Sequence, residues 1–318
     1  MMRDLLALLC LILAAPVAAA PTSSEITAPG PIGALHGTLL KPEASGPVVL
    51  IVPGSGPTDR DGNNPLGVKG QPYKLLAEAL AAKGIASVRV DKRGQFASKA
   101  AVADGNAVTI AGYADDVRAW VTTARAATGA PCVWLLGHSE GGLVVLAAGE
   151  GDGICGHILV SASGRPLGTV IRDQLRANPA NAPVLTAAEA ALDSLEKGQR
   201  VDVTGMHPAL ANLFAPAIQG YLIDLFGYKP VALAARMKAP MLIVQGTKDL
   251  QIGEGDARAL AAARPDATLV LVPGVNHVLK NIGVDGDMAA NLASYGKPDL
   301  PVDAGVVKAV AGFVTKKR

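Results

Sequence analysis

The chain has 318 residues, half of them hydrophobic, 3% aromatic and 18% charged, with a formal net charge of +2. That length can bury a substantial core, and one large α/β domain built on Ala, Val, Leu and Ile is the simplest reading. Scattered basic residues, with Lys316-Lys317-Arg318 reading as a solvated helix end, point away from nucleic acid, and three cysteines without zinc spacing and no His-Glu-x-x-His motif point away from a metal.

Arg3 precedes an apolar run at 5–13, and Ala18-Ala19-Ala20 stands just before Pro21. A basic start, an apolar centre and a small-residue end predict a secretory signal peptide over residues 1–20, leaving a mature domain of 21–318 exported to a bacterial periplasm or beyond. The apolar run is short for a membrane span, so no stable span is expected after cleavage. Leu9 stands where a lipoprotein signal ahead of Cys10 would need a small residue. Cleavage leaves Cys132 and Cys155, each at the start of a predicted strand. If those strands are neighbours, an oxidising compartment permits a disulfide; the alternative is two small buried hydrophobes.

Residues 23–27 and 34–41 read as early strands, and 47–52 as a strong central one. The central strand breaks into a long polar loop beginning Pro53-Gly54-Ser55-Gly56-Pro57-Thr58-Asp59-Arg60-Asp61-Gly62-Asn63-Asn64. A helix at 72–83 ended by Gly84, a strand at 85–91 and a helix at 110–127 follow. The apolar stretch 133–136 then runs straight into Gly137-His138-Ser139-Glu140-Gly141 and an apolar helix at 143–148. Strand, G-x-S-x-G and helix in that order make a nucleophile elbow, a sharp turn that exposes a serine in a strained conformation. A strand at 156–161 comes next. From 163 to 238 the alternation stops: 167–176, 187–196 and 209–225 are helical in period, broken by Pro179, Pro183 and Pro208. It resumes with a strand at 240–245, a helix at 254–263, a strand at 268–272 and a closing helix at 304–315. Such alternation predicts a mostly parallel sheet flanked by helices, and the interruption a helical cap that sets substrate shape.

A serine hydroxyl needs an adjacent base. Of five histidines, His36 and His157 fall in or beside strands, His207 precedes Pro208, and His138 is expected to point away from the serine. His277 stands in a loop beyond a late strand, where active sites of open α/β sheets assemble. Asp249 follows the strand at 240–245 and suits the carboxylate that orients the base, although Asp249 and Asp256 alike could be turn or cap residues. The order Ser139, Asp249, His277, each just past a strand, favours Asp249. Asp59, Arg60 and Asp61 read most simply as solvated turn residues, the alternative being an Arg60 ion pair that stiffens the loop.

On these motifs the chain resembles the α/β-hydrolase superfamily over nearly all of its mature length. The loop from Gly54 to Asn63 further resembles small bacterial serine esterases of the lysophospholipase-like and dienelactone-hydrolase-like branch. Arg93-Gly94-Gln95-Phe96 departs from the more glycine-rich run of such relatives. The resemblance implies an oxyanion hole formed by the backbone N–H groups of Glu140 and Ser55, with Gly54 or Gly56 as neighbouring alternatives. It also implies a small-molecule ester substrate and no cofactor; separately, Phe214, Tyr221, Phe226 and Tyr228 read as packing residues, and a cap otherwise poor in aromatics leaves a modest pocket that favours short acyl groups. The alternatives are a peptidase using the same triad, for which Glu189, Asp193, Glu196, Asp202 or Asp224 would recognise an amine, and a non-catalytic binding protein on the same fold.

Overall fold

A computed structural model describes residues 20–44 and 46–316 of the chain, so the expected signal peptide, Ala20 apart, lies outside the described residues. The strands are β1 (Thr22–Pro29), β2 (Ala34–Lys41), β3 (Val48–Val52), β4 (Ala86–Val90), β5 (Val133–His138), β6 (Ile154–Val160), β7 (Met241–Gly246) and β8 (Thr268–Val272). They form one sheet in the order β1-β2-β4-β3-β5-β6-β7-β8. β1 and β2 are antiparallel to each other, and β2 to β4; the remaining pairs are parallel. Every residue of β3, β4, β5 and β7 is buried, the burial on both faces that their continuous apolar runs imply.

The helices are α1 (Pro72–Ala81), α2 (Ile110–Thr128), α3 (Glu140–Ala148), α4 (Leu167–Ala177), α5 (Leu185–Glu196), α6 (Pro208–Leu213), α7 (Gln219–Phe226), α8 (Pro230–Ala234), α9 (Glu254–Ala263), α10 (Met288–Tyr295) and α11 (Ala304–Val314). Two apolar cores sandwich the sheet. One packs α2, α3, α9 and the α4–α8 insertion against one face; the other packs α1 and α11 against the opposite face. The Thr109 side chain accepts the Gly112 N–H to start α2, and Gly129 ends it at φ 73°, a left-handed turn that glycine adopts without a Cβ clash.

The structure departs from the sequence reading at three helices. The single helix expected at 209–225 is divided into α6, a 3₁₀ turn (Pro216–Ile218) and α7. Pro216 disfavours helical backbone in the residue before it, and Ala215 is extended at ψ 136°. α8 is only five residues long and gives no readable period. α10 inverts the usual pattern: Asn291 and Ser294 are its buried residues, whereas Met288 and Leu292 are exposed. A disulfide joins Cys132 to Cys155 across the neighbouring strands β5 and β6, with the Cα atoms 5.2 Å apart.

Candidate active site

Ser139 stands between β5 and α3, as the N-cap of the helix, with φ 55° and ψ −122°, a conformation rarely held by a residue with a side chain. The flanking glycines make the turn possible. A Cβ on Gly137 would lie 2.1 Å from the Gly141 carbonyl oxygen, and one on Gly141 would lie 2.3 Å from that of Val52. Any larger residue would push the elbow off the strand beneath it.

Asp249 and His277 come from turns after β7 and β8, and the structure brings them together. His277 Nδ1 lies 2.8 Å from Asp249 Oδ2, while Asp249 Oδ1 accepts the N–H groups of Gln251 at 2.8 Å and Ile252 at 2.9 Å. Burial works to raise the Asp249 pKa, but the His277 imidazole and these N–H groups outweigh it and hold the carboxyl below its usual value. An ionised carboxylate only accepts, so His277 donates from Nδ1 and keeps Nε2 as its basic nitrogen. His277 and Ser139 line the same cavity of about 160 Å³.

α10 braces both turns. Asn291 Nδ2 donates to the Lys248 carbonyl at 2.8 Å, and Asn276 Nδ2 donates to Ser294 Oγ at 2.6 Å. Asp256, the rival carboxylate, is buried among the donors of Ser163, Gly164 and Arg165 and has the structural role. Among the other histidines, His36 lies in β2, His157 in β6 bonds the Gly149 carbonyl, and His207 caps α6.

His138 differs from expectation, because it lies against His277 with ring centroids 4.7 Å apart and lines the cavity. Its Nε2 is 2.8 Å from the His277 carbonyl, so this nitrogen carries the proton. Nδ1 therefore accepts from the Tyr73 hydroxyl at 2.8 Å, and Tyr73 Oη in turn accepts the Gly54 N–H at 3.1 Å. This directed chain joins the loop after β3, the elbow and the His277 turn. Burial and the neighbouring His277 push the His138 pKa down to about 3, so its ring stays neutral. The sequence carries no signal for Tyr73 beyond its place as the second residue of α1.

The bond to Tyr73 occupies the Gly54 N–H and leaves Ser55 as the next donor of the loop. Gly54 packs so closely on the elbow serine that a Cβ there would lie 3.2 Å from Ser139 Cβ. Ser55, Thr58, Asn64 and Val68 of this loop line the cavity, as do Gln251 and Tyr295 from the other side. No residue of 163–238 lines it, which corrects the expectation that the helical insertion shapes the pocket. The acidic residues considered for amine recognition are engaged elsewhere: Glu189 with Arg176, Asp193 and Glu196 with Arg172, Asp202 with the Thr204 N–H, and Asp224 with the Ile110 N–H.

The Asp59-Arg60-Asp61 cluster also differs from a freely solvated turn: its residues are half-buried and paired. Arg60 forks onto Asp91 through Nε at 3.0 Å and Nη2 at 2.8 Å, and reaches Glu25 at 2.7 Å. Asp61 pairs with Arg89, and Asp59 accepts the N–H groups of Asp61 and Asn63. The loop is therefore anchored to β1 and to the end of β4. No group of three or more His, Cys, Asp or Glu among the described residues is placed to hold a metal ion.

A strained serine after a central parallel strand, with a buried His–Asp pair on two later strand ends, is the arrangement of α/β-hydrolases. Residues 48–281 match the alpha/beta hydrolase family, and the chain belongs to it. It is 28% identical over 294 residues to Esterase EstD of Thermotoga maritima, covering 90% of this chain and 66% of that protein, just under two thirds of the relative's length. Among solved structures it is similar in fold to the alpha/beta hydrolase GrgF of a Penicillium species (TM-score 0.56, 19% identity, covering 80% of this chain and 91% of the other). A lipase-esterase related protein of Clostridium acetobutylicum is similar too (TM-score 0.55, 16% identity, covering 88% and 99%).

Proposed function

We propose that this protein is a serine hydrolase cleaving carboxylic esters of short acyl groups. The observation that carries the reading is the buried Asp249–His277 pair opening on the cavity it shares with the strained Ser139. Ser139 Oγ attacks the acyl carbon while His277 Nε2 takes its proton, and Asp249 steadies the imidazolium. The N–H groups of Ser55 and Glu140 receive the oxyanion. The tetrahedral intermediate collapses to an acyl-enzyme as the alcohol leaves with the proton from His277. Water, activated by the same nitrogen, then releases the acid. The name and similarity of the Thermotoga relative support ester substrates, and a cavity of about 160 Å³ favours small acyl groups.

Replacing Ser139 by Ala is expected to cut turnover of p-nitrophenyl acetate by roughly 10⁶-fold, by analogy with a serine protease. Substantial activity in that variant would sink the proposal. Aminoacyl amides assayed in parallel test the peptidase alternative, which predicts amide turnover at a rate comparable with ester turnover.

Export belongs to the same proposal. The signal-like segment at 1–20 and the Cys132–Cys155 disulfide, a bond that persists in oxidising compartments, support it. Fractionation of producing cells should recover a chain beginning at Pro21 outside the cytoplasm; an intact amino terminus in the cytosol would refute it.

A further inference from the structure

Lys92, directly after β4 and Asp91, is buried at 6% exposure, and its partner Glu140 is 1% exposed. Lys92 Nζ donates to the Gly54 carbonyl at 2.7 Å and to Glu140 Oε1 at 3.1 Å. It thus touches both segments whose backbone N–H groups are assigned to the oxyanion. We infer that Lys92 is a positioning residue that sets the orientation of both oxyanion donors at once; this rests on the serine-hydrolase reading above.

The geometry of the peptide unit explains how. The Gly54 C=O and the Ser55 N–H belong to one planar trans peptide and point in opposite directions. An ammonium holding the carbonyl on one side therefore directs the Ser55 N–H to the other. Tyr73 Oη holds the preceding N–H of Gly54, so the Gly54 backbone is fixed at both ends. On the elbow, Lys92 pairs with the Glu140 side chain, which does not line the cavity. The Glu140 backbone N–H, in the first turn of α3, needs no intrahelical acceptor and remains free for the substrate.

Stability alone does not account for a buried Lys–Glu pair, since well-packed apolar side chains often serve as well or better. The neighbours of the pair are aromatic. The Tyr113 ring of α2 lies with its centroid 5.3 Å from Lys92 Nζ, and Tyr221 of α7 packs edge-on to Tyr113 at 6.2 Å. Burial first, and then the Glu140 carboxylate, push the Tyr221 phenol pKa well up, so this hydroxyl stays protonated beside Glu140. The helical insertion thus closes over the back of the oxyanion hole while leaving the cavity to other segments.

Lys92→Met alone would strand a buried carboxylate and destabilise the fold. The test therefore compares Glu140→Gln, whose amide oxygen still accepts from Lys92, with the Lys92→Met/Glu140→Gln double variant, per folded molecule. Glu140→Gln, whatever its own turnover, is the reference against which the double variant is read. The double variant should lose about 10²–10³-fold in kcat, the cost of one oxyanion donor, with KM little changed. Its affinity for a trifluoromethyl ketone, which forms an oxyanion on Ser139, should fall by the same factor. Equal kcat in the two variants, or a rise in KM at constant kcat, would overturn the inference. Ser139→Ala run alongside separates the two readings. An inactive Ser139 variant with an unimpaired double variant defeats only the role of Lys92, whereas an active Ser139 variant defeats both.

Discussion

The loop from 53 to 71 and the helical insertion from 163 to 238 are built in opposite ways. The insertion is regular: helices α4 to α8 bury Leu192, Leu195, Phe214 and Leu225 against the core and carry many of their ion pairs on exposed surfaces. The loop has no helix or strand, yet several of its polar groups bind Asp91, Arg89, Tyr73 and its own backbone. It is the loop that lines the cavity. Apolar packing tolerates small shifts, whereas forked ion pairs and directed hydrogen bonds fix positions to fractions of an ångström. A site that must place donors beside a reacting atom draws on the second kind of structure.

Asp249→Asn provides the reference against which both regions can be judged. By leaving His277 in the wrong tautomer it should lower kcat by about 10⁴-fold, read in a steady-state ester assay. Arg60→Met tests the loop directly. It strands the buried Asp91 and should destabilise the fold by about 3 kcal/mol. Turnover well below the melting temperature should fall about 10²-fold as the loop proposed to hold the oxyanion loses its anchor. Arg172→Met, which removes the partner of Asp193 and Glu196 in the insertion, should cost under about 1 kcal/mol and leave turnover unchanged. Equal losses of activity in the two arginine variants would break the comparison.

The Tyr73–His138–His277 chain should make stability fall with acidity. His138 takes up its proton near 6.5 when unfolded but only near 3 when folded. The unfolded chain therefore binds more protons between those values, and the stabilisation is full above 6.5 and lost as pH falls toward 3. Between pH 7 and pH 5 the His138 share of the loss is about 2 kcal/mol, visible in urea midpoints, and a His138→Gln variant should lose less by that amount; buried His157, held below its ordinary value as well, acts in the same direction in both proteins. Asp249, also held below its ordinary value, acts in the same direction but only below about pH 4. The smallest effect is one of specificity. Val68→Ala should enlarge the cavity and raise kcat/KM for butanoyl over acetyl esters by about tenfold, the scale of a methylene in a pocket. Truncating Leu213 of the insertion should leave that ratio unchanged.

Much was legible in the chain because local patterns carried it. Apolar runs marked β3, β5 and β7, and G-x-S-x-G needs glycine on both sides whatever surrounds it, as the contacts at Gly137 and Gly141 demonstrate. In the order Ser139, Asp249, His277, the fold brings Ser139 and His277 to one cavity and seats Asp249 against His277, because parallel strands deliver their carboxyl ends to one edge of the sheet. What stayed hidden depends on partners distant along the chain. Tyr73 meets His138 65 residues away, Lys92 meets Glu140 48 away, and α10 turns polar residues inward because Lys248 and Asn276 await them there. Nor could composition tell that Arg60 faces Asp91 rather than water, or that the apolar insertion would leave the pocket to a polar loop. The chain alone named the candidate groups, since their motifs are local; only the tertiary structure decided what holds them in place, since a hydrogen bond exists only where the fold delivers both of its ends.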